Sequence, residues 1–319
     1  MLPALVLTAG IGSRLDPLTR LVAKPAVPVA GRTLVERVLD WLHREGVRDV
    51  VLNLHHRPET ITAIVGDGAH LGLNVRYSWE QPLLGSAGGP RRALPLLAET
   101  FLIVNGDTLC DFALGPMIAA HEASGADVTM ALIPNAAPDR YNSVLLDAQN
   151  RVRGFVPRGT PAPGETRWHF IGVQIVRASL FAPLPDGVPA ETVSSLYATG
   201  LSARTLNVLG YPADTGFLDV GTPSDYLEAV SKLAAESGSA TVEAGAVVDD
   251  SADIRRTAVW SRARLGPGCR LNECVVAGEV SLPAGFSAER SILLPAALLN
   301  ASDVATRRGD VAVFPLRQT

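Results

Sequence analysis

The chain has 319 residues, with 28 Lys and Arg against 32 Asp and Glu, and 47% of its residues are apolar. These proportions argue against disorder, and a mild negative balance without any Lys/Arg block argues against a nucleic-acid surface while leaving room for a small anion pocket. No apolar run approaches the ~20 residues of a membrane helix, and the N-terminus lacks a signal peptide's charged and apolar regions. Cys110, Cys269 and Cys274 are few and odd in number, which suits a reducing cytoplasm better than a disulfide framework. Lysine occurs only at Lys24 and Lys232. A chain that avoids lysine yet keeps one beside a glycine-rich loop uses it there as a point charge or carries it by chance on the surface.

In chain order, Ala4–Leu7 reads as a buried strand ending in the turn Thr8-Ala9-Gly10-Ile11-Gly12-Ser13-Arg14. Thr33 and Glu36 form a capping box for a helix whose stripe is Leu34, Val35, Val38, Leu39 and Leu42, closed by Gly46. Strands follow at 50–54, 73–77 and 101–104, with helices at 58–65 and 89–98, the alternation of a mostly parallel α/β sheet covered on both faces. Further strands are expected at 128–133, 144–146, 152–156, 169–176, 205–209 and 217–219, a Pro/Gly-rich surface loop at 160–164, and a helix at 223–235. Residues 236–239 read as a linker, which divides the chain into a first domain, 1–237, and a second domain with its tail, 238–319.

Beyond the linker the period changes. Val242, Val248, Ile254 and Trp260 fall six apart, and after a one-residue slip Leu265, Leu271 and Ala277 do the same. Small residues and Gly between them match hexapeptide coils of a parallel β-helix, with room for about three coils. His55-His56 and Cys269…Cys274 lack metal-site spacing and are read as structural.

The Gly10–Arg14 loop fails two better-known phosphate patterns: Leu15 stands where a dinucleotide fingerprint wants a third Gly, and the Gly-Lys-Ser/Thr ending of a Walker A loop is absent. What remains is a strand, a small-residue turn and an expected helix, whose exposed N–H groups can bind an anion or simply turn the chain. Arg14 and Lys24 add two cations, as a leaving pyrophosphate would need.

Leu7-Thr8-Ala9-Gly10-Ile11-Gly12-Ser13-Arg14-Leu15-Asp16-Pro17-Leu18-Thr19 with Lys24-Pro25 resembles the signature of the sugar-phosphate nucleotidylyltransferases. Leu84–Gly89 resembles their second nucleotide loop, Val104–Asp107 the strand end with their first metal-binding aspartate, and Leu218–Leu227 the stretch carrying their second. The resemblance implies a Rossmann-like sheet with a small C-terminal left-handed β-helix, and transfer of a nucleotidyl group from a nucleoside triphosphate to a sugar 1-phosphate. It places Ala9, Gly10, Gly12 and Ser13 along the nucleotide, Gly85 and Gly88 near its base, and Arg14 and Lys24 on the phosphates. Asp107 and Asp219 would bind Mg²⁺, and Asn142, Arg158 and Gly172 would face the sugar phosphate.

Two departures concern the sugar end: Val156-Pro157-Arg158-Gly159 stands where relatives carry Glu-Lys-Pro, and Asn142 where glycine is usual. Length and tail favour a mannose-1-phosphate guanylyltransferase-like branch, expected as a cytoplasmic homo-oligomer with neither nucleic-acid nor membrane partners. The alternatives are a uridylyl- or thymidylyltransferase acting on N-acetylmuramate or glucose 1-phosphate, and a catalytically silent nucleotide-binding subunit. Retention of Arg14, Lys24, Asp107 and Asp219 together favours an enzyme over the silent subunit. An acyltransferase role for the β-helix lacks a histidine base, because no histidine follows His169.

Overall fold

The Ala4–Leu7 strand lies inside a nine-stranded sheet in the computed structural model, which describes residues 1–237 and 241–316. Ala4, Leu5 and Val6 are all fully buried, so both faces of the sheet are covered here. Asp49–Leu54 and Thr100–Asn105 flank this strand in parallel, and Asn74–Trp79 extends the parallel set beyond Asp49–Leu54. On the other side the sheet becomes mixed. Arg167–Arg177 runs antiparallel to Thr100–Asn105, Val128–Pro134 and Ser143–Leu146, while Val208–Pro212 pairs in parallel with Val128–Pro134.

The chain therefore winds from Ala4–Leu7 to one side and then crosses to Thr100–Asn105 on the other. Open α/β sheets leave a crevice at the carboxyl ends of the strands where the winding reverses. Leu5, Val51, Phe101 and Ile103 form one core with Ala87 and Ala93 of the glycine-rich helix.

Local signals placed most elements. Leu34–Arg44 begins directly after Thr33, and its expected stripe is buried; Pro58–Val65 has the expected bounds. Three elements differ. The helix expected at 89–98 is Gly85–Ala93, followed by a 3-10 turn at Leu94–Leu96. The glycine run becomes its first turn because Ala87 N–H finds the Ala190 carbonyl at 2.9 Å. The strand expected at 205–209 is Val208–Pro212, set by its pairing with Val128–Pro134. Glu236 and Ser237 close the helix Pro223–Ser237 instead of opening a linker; Gly238 and Ser239 lie outside the described residues. No helix among the described residues is long and apolar enough to cross a membrane.

Packing divides the chain into two compact units: Met1–Gly10 with Val35–Leu218, and Ile11–Leu34 with the residues from Asp219 onward. In the second unit, strands stack in parallel three deep: Val248 on Leu265 on Leu282, and Ile254 on Leu271 on Ala288, each partner seventeen residues on. These form the three coils of a β-helix. On its third face the inward residues are Val259 and Val276, one position before the expected Trp260 and Ala277. Trp260 is buried elsewhere, its indole N–H donating to Tyr226 Oη at 2.7 Å. Tyr226 donates in turn to the Pro28 carbonyl at 2.8 Å, so a buried hydroxyl that would cost about 1–3 kcal/mol unpaired joins the signature segment to the β-helix. The antiparallel strands Ser291–Pro295, Val311–Pro315 and Thr306–Arg308 finish the tail.

Candidate active site

In the first unit the site stands on the carboxyl ends of two neighbouring parallel strands. Gly106 N–H donates to the Leu7 carbonyl at 3.0 Å, and a Cβ at Gly106 would lie 2.8 Å from that oxygen and from Thr8 Cγ2. Only glycine permits this approach, which sets Asp107 beside the start of the signature loop. Asp107 is half-buried, with Thr108 Oγ1 3.4 Å from its Oδ1. Ala9 is buried, while Gly10 is exposed and faces open space.

A buried polar chain links the signature loop to the Leu84–Gly89 loop, and sequence reasoning missed it. Thr8 N–H donates to Asn53 Oδ1 at 2.6 Å, and the Thr8 hydroxyl to the Asn53 carbonyl. Asn53 Nδ2 donates to Glu80 Oε1 at 2.6 Å, and Leu84 N–H to Glu80 Oε2 at 2.8 Å. Glu80 is 1% exposed and Asn53 3%. The available signal was one polar residue inside the apolar run Val50–Leu54, a position that must find a hydrogen bond when the strand is buried.

Leu84 leads into the glycine-rich helix. Ser86 Oγ donates to Glu191 Oε2 at 2.5 Å and receives Thr192 N–H at 2.9 Å. A Cβ on Gly85 would meet Glu191 Oε1 at 2.5 Å, and one on Gly88 the Val188 carbonyl at 2.7 Å. Both glycines thus pack against residues 188–191, and what they can offer a ligand is backbone.

At the expected sugar end, Gly172 has φ +78° in an irregularity of Arg167–Arg177, and a Cβ there would lie 2.5 Å from Asn105 Nδ2. Gly172 thus faces the Asn-Gly-Asp turn. Asn142 and Arg158 are brought together, since Asn142 Oδ1 accepts Arg158 N–H at 2.9 Å, leaving an exposed guanidinium. His169 packs between Tyr141 and Phe217, with ring centroids 4.3 and 4.9 Å away, and burial pushes its pKa below the usual histidine range.

In the second unit the signature segment departs from expectation. No α-helix follows the turn; the chain makes 3-10 turns at Ser13–Leu15, Leu18–Arg20 and Lys24–Ala26. A helix N-terminus is therefore not part of this loop, and its anion-binding capacity rests on backbone N–H groups and side chains. Gly12 is left-handed (φ +68°), and a Cβ on it would lie 2.9 Å from Thr19 Cγ2 and 3.0 Å from Lys24 Cβ. The loop closes on the stem of Lys24, which is 6% exposed, whereas Ser13 and Arg14 are exposed.

Arg14 and Asp219 meet around Gly221. A Cβ there would lie 3.1 Å from Asp225 Oδ2, 3.2 Å from Asp219 Oδ2 and 3.3 Å from Arg14 Nη1. Asp225 is fixed by a reciprocal cap: its Oδ2 accepts Thr222 N–H at 2.9 Å while its own N–H donates to Thr222 Oγ1 at 3.3 Å. Asp225 lay within the recognised motif but was not singled out. Gly221→Ala should displace Asp219 and Arg14 by a few tenths of an ångström, lowering kcat about tenfold with little change in Tm, as steady-state kinetics and calorimetry would show.

Residues 3–236 match the family model for nucleotidyl transferase, and the chain belongs to that family. It is 30% identical to a mannose-1-phosphate guanylyltransferase of Mycobacterium tuberculosis, over 90% of this chain and 83% of that protein. It is 34% identical to an N-acetylmuramate alpha-1-phosphate uridylyltransferase of Neisseria meningitidis, over 69% of this chain and 93% of that one. The crystal structure of HddC from Yersinia pseudotuberculosis complexed with GMP-PN shares the fold, with a TM-score of 0.63, 23% identity, and coverage of 73% of this chain and 100% of that one.

Proposed function

We propose that this protein joins a nucleoside triphosphate to a sugar 1-phosphate, forming an NDP-sugar and pyrophosphate, with GTP and mannose 1-phosphate as its preferred pair. The reach of the mycobacterial alignment carries this choice: at 90% of the chain it must extend into the β-helix. The uridylyltransferase reading is favoured by the higher identity of the meningococcal protein, but that alignment covers 69% of this chain.

A sugar-phosphate oxygen would attack the α-phosphorus in line as the bond to pyrophosphate breaks. No covalent enzyme intermediate is needed, so the protein contributes alignment and charge compensation. Ala9, Gly10, Gly12 and Ser13 would present the nucleotide loop, and Gly85 and Gly88 would border the base. Lys24, its stem held under Gly12, would deliver an ammonium point charge, and Arg14 a fork to the departing phosphates.

Asp107, in the turn after Thr100–Asn105, and Asp219, the last residue of Phe217–Asp219, are partly buried carboxylates, hard oxygen donors of the kind Mg²⁺ takes one or two of beside phosphate and water. When bound there, Mg²⁺ would neutralise triphosphate charge. Asn142, Arg158 and Gly172 would hold the sugar phosphate, Arg158 by a bidentate contact in place of the missing lysine.

The family match ending at 236 and the helix ending at Ser237 support the domain division at 237/238, whereas packing groups Ile11–Leu34 and the helix Pro223–Ser237 with the second unit. The free thiols of Cys110, Cys269 and Cys274 support a reducing, cytoplasmic setting. A grid of nucleoside triphosphates against sugar 1-phosphates tests the choice of pair; UTP with N-acetylmuramate 1-phosphate as the best pair would replace this reading. Arg158→Ala should raise the KM for sugar 1-phosphate about tenfold or more with the nucleotide KM unchanged, and an unchanged sugar KM would return Arg158 to solvent.

A further inference from the structure

We infer that Asp303, in the C-terminal tail, is a positioning residue for the signature loop: it holds Arg20, which holds Asp16, and so sets the turn that presents Arg14. The inference rests on the function proposed above.

The loop from Ser13 to Arg20 has only 3-10 turns of its own, so side-chain anchors must fix it. Leu15 and Leu18 are fully buried, and Arg20 supplies the polar anchor. Its guanidinium donates to Asp16 from Nε (2.8 Å) and Nη2 (2.7 Å), to Asp303 from Nη1 (2.5 Å) and Nη2 (2.8 Å), and to the Leu298 carbonyl from Nη1 (2.9 Å). It also lies 5.2 Å from the Phe314 ring centroid.

Asp303 is itself braced. Its Oδ2 accepts Asn300 N–H at 2.7 Å, and its own N–H donates to the Asn300 carbonyl at 3.1 Å. The Arg20–Asp303 side chains are only 15% and 11% exposed, against 44% for Asp16, so the fork-to-fork pair is sheltered from the solvent that makes surface pairs weak. Hydrogen bonds from Arg20 and Asn300 hold the Asp303 carboxyl down to about 2, so it is charged at any working pH. Arg14, Arg20, Asp303, Val304 and Phe314 line one cavity of about 400 Å³, so tail and phosphate-handling loop share a wall. Asp16, two residues from Arg14, is the last link: tail carboxylate, guanidinium, loop carboxylate, Arg14.

Asp303→Asn keeps the shape and removes the charge. Without any ligand, amide hydrogen exchange at Leu15, Asp16, Arg20 and Leu21 should speed up about tenfold or more. On whichever substrate pair the wild type turns over, kcat should fall about tenfold with the sugar 1-phosphate KM unchanged. In an Arg14→Ala background the same substitution should change kcat less than about twofold, because the residue acts through Arg14. Wild-type loop exchange and kcat would overturn the proposal, as would the same tenfold loss repeated in the Arg14→Ala background.

Should Asp303→Asn fail to fold, wild-type exchange with MgGTP decides: protection at the Asn300 and Asp303 amides alongside the loop supports the coupling, and an unchanged tail overturns it. If the wild type turns over no pair, the proposed function fails, and the ligand-free exchange comparison alone decides the clamp.

Discussion

Asp107→Asn should lower kcat for pyrophosphate release on the order of 10³-fold, about 4 kcal/mol of transition-state stabilisation, while leaving Tm nearly unchanged. The size follows from where the residue stands. Gly106 is locked against the Leu7 carbonyl, so Asp107 is carried by the sheet at the point where its winding reverses. Asn keeps the volume but supplies a neutral amide in place of a negative carboxylate, a poor exchange at a site proposed to bind Mg²⁺ beside a triphosphate. Because Asp107 is partly open to solvent, losing its charge should cost the fold little. The contrast between a large kinetic loss and a small thermal shift identifies a site residue; circular dichroism melting and a coupled pyrophosphate assay measure both. Wild-type turnover in this variant would remove Asp107 from the site.

Glu80→Gln should do the reverse and strike stability first. Both carboxylate oxygens accept: Oε1 from Asn53 Nδ2, Oε2 from Leu84 N–H. A glutamine at the same place has one acceptor, and its NH₂ must face one of those donors. With Glu80 1% exposed, water cannot make up the loss. A buried donor left facing a donor should cost about 2–4 kcal/mol, read as a lower midpoint in urea unfolding at an unchanged m-value. The nucleotide KM should rise as well, because the Thr8–Asn53–Glu80–Leu84 chain ties together the two loops proposed to hold the nucleotide. Unchanged stability would mean that this network is not the brace the geometry describes.

Most strands of the first unit were legible because each is a short apolar run bounded by turn residues, and the family because its motifs are local. The signature around Gly10–Lys24, Gly106-Asp107 and Asp219–Thr222 each lie within a few residues of chain. What could not be read depends on pairing between distant segments. Asn53 and Glu80 meet only once Asp49–Leu54 and Asn74–Trp79 are in register, Asn53 opposite Ser78. Trp260 shows a finer limit. A six-residue period finds the apolar pair Val259-Trp260 but not which member points inward, and Tyr226, from a different element, captured the tryptophan. The 3-10 turns after Gly12 replace an expected helix because packing on Thr19 and Lys24 holds that loop. Arg20 and Asp303, 283 residues apart, leave no local trace of their pairing.

The proposed activity of this chain is Mg²⁺-dependent nucleotidyl transfer to a sugar 1-phosphate. Pyrophosphate release from GTP and mannose 1-phosphate, with and without Mg²⁺ and in wild type beside Asp107→Asn, tests it most directly. The expected result is release that needs both substrates and the metal, yields a GDP-sugar by mass, and disappears in the variant. Absence of release with every nucleoside triphosphate and sugar 1-phosphate offered, from a folded protein that still binds nucleotide, would contradict it and return the chain to the reading of a silent nucleotide-binding subunit.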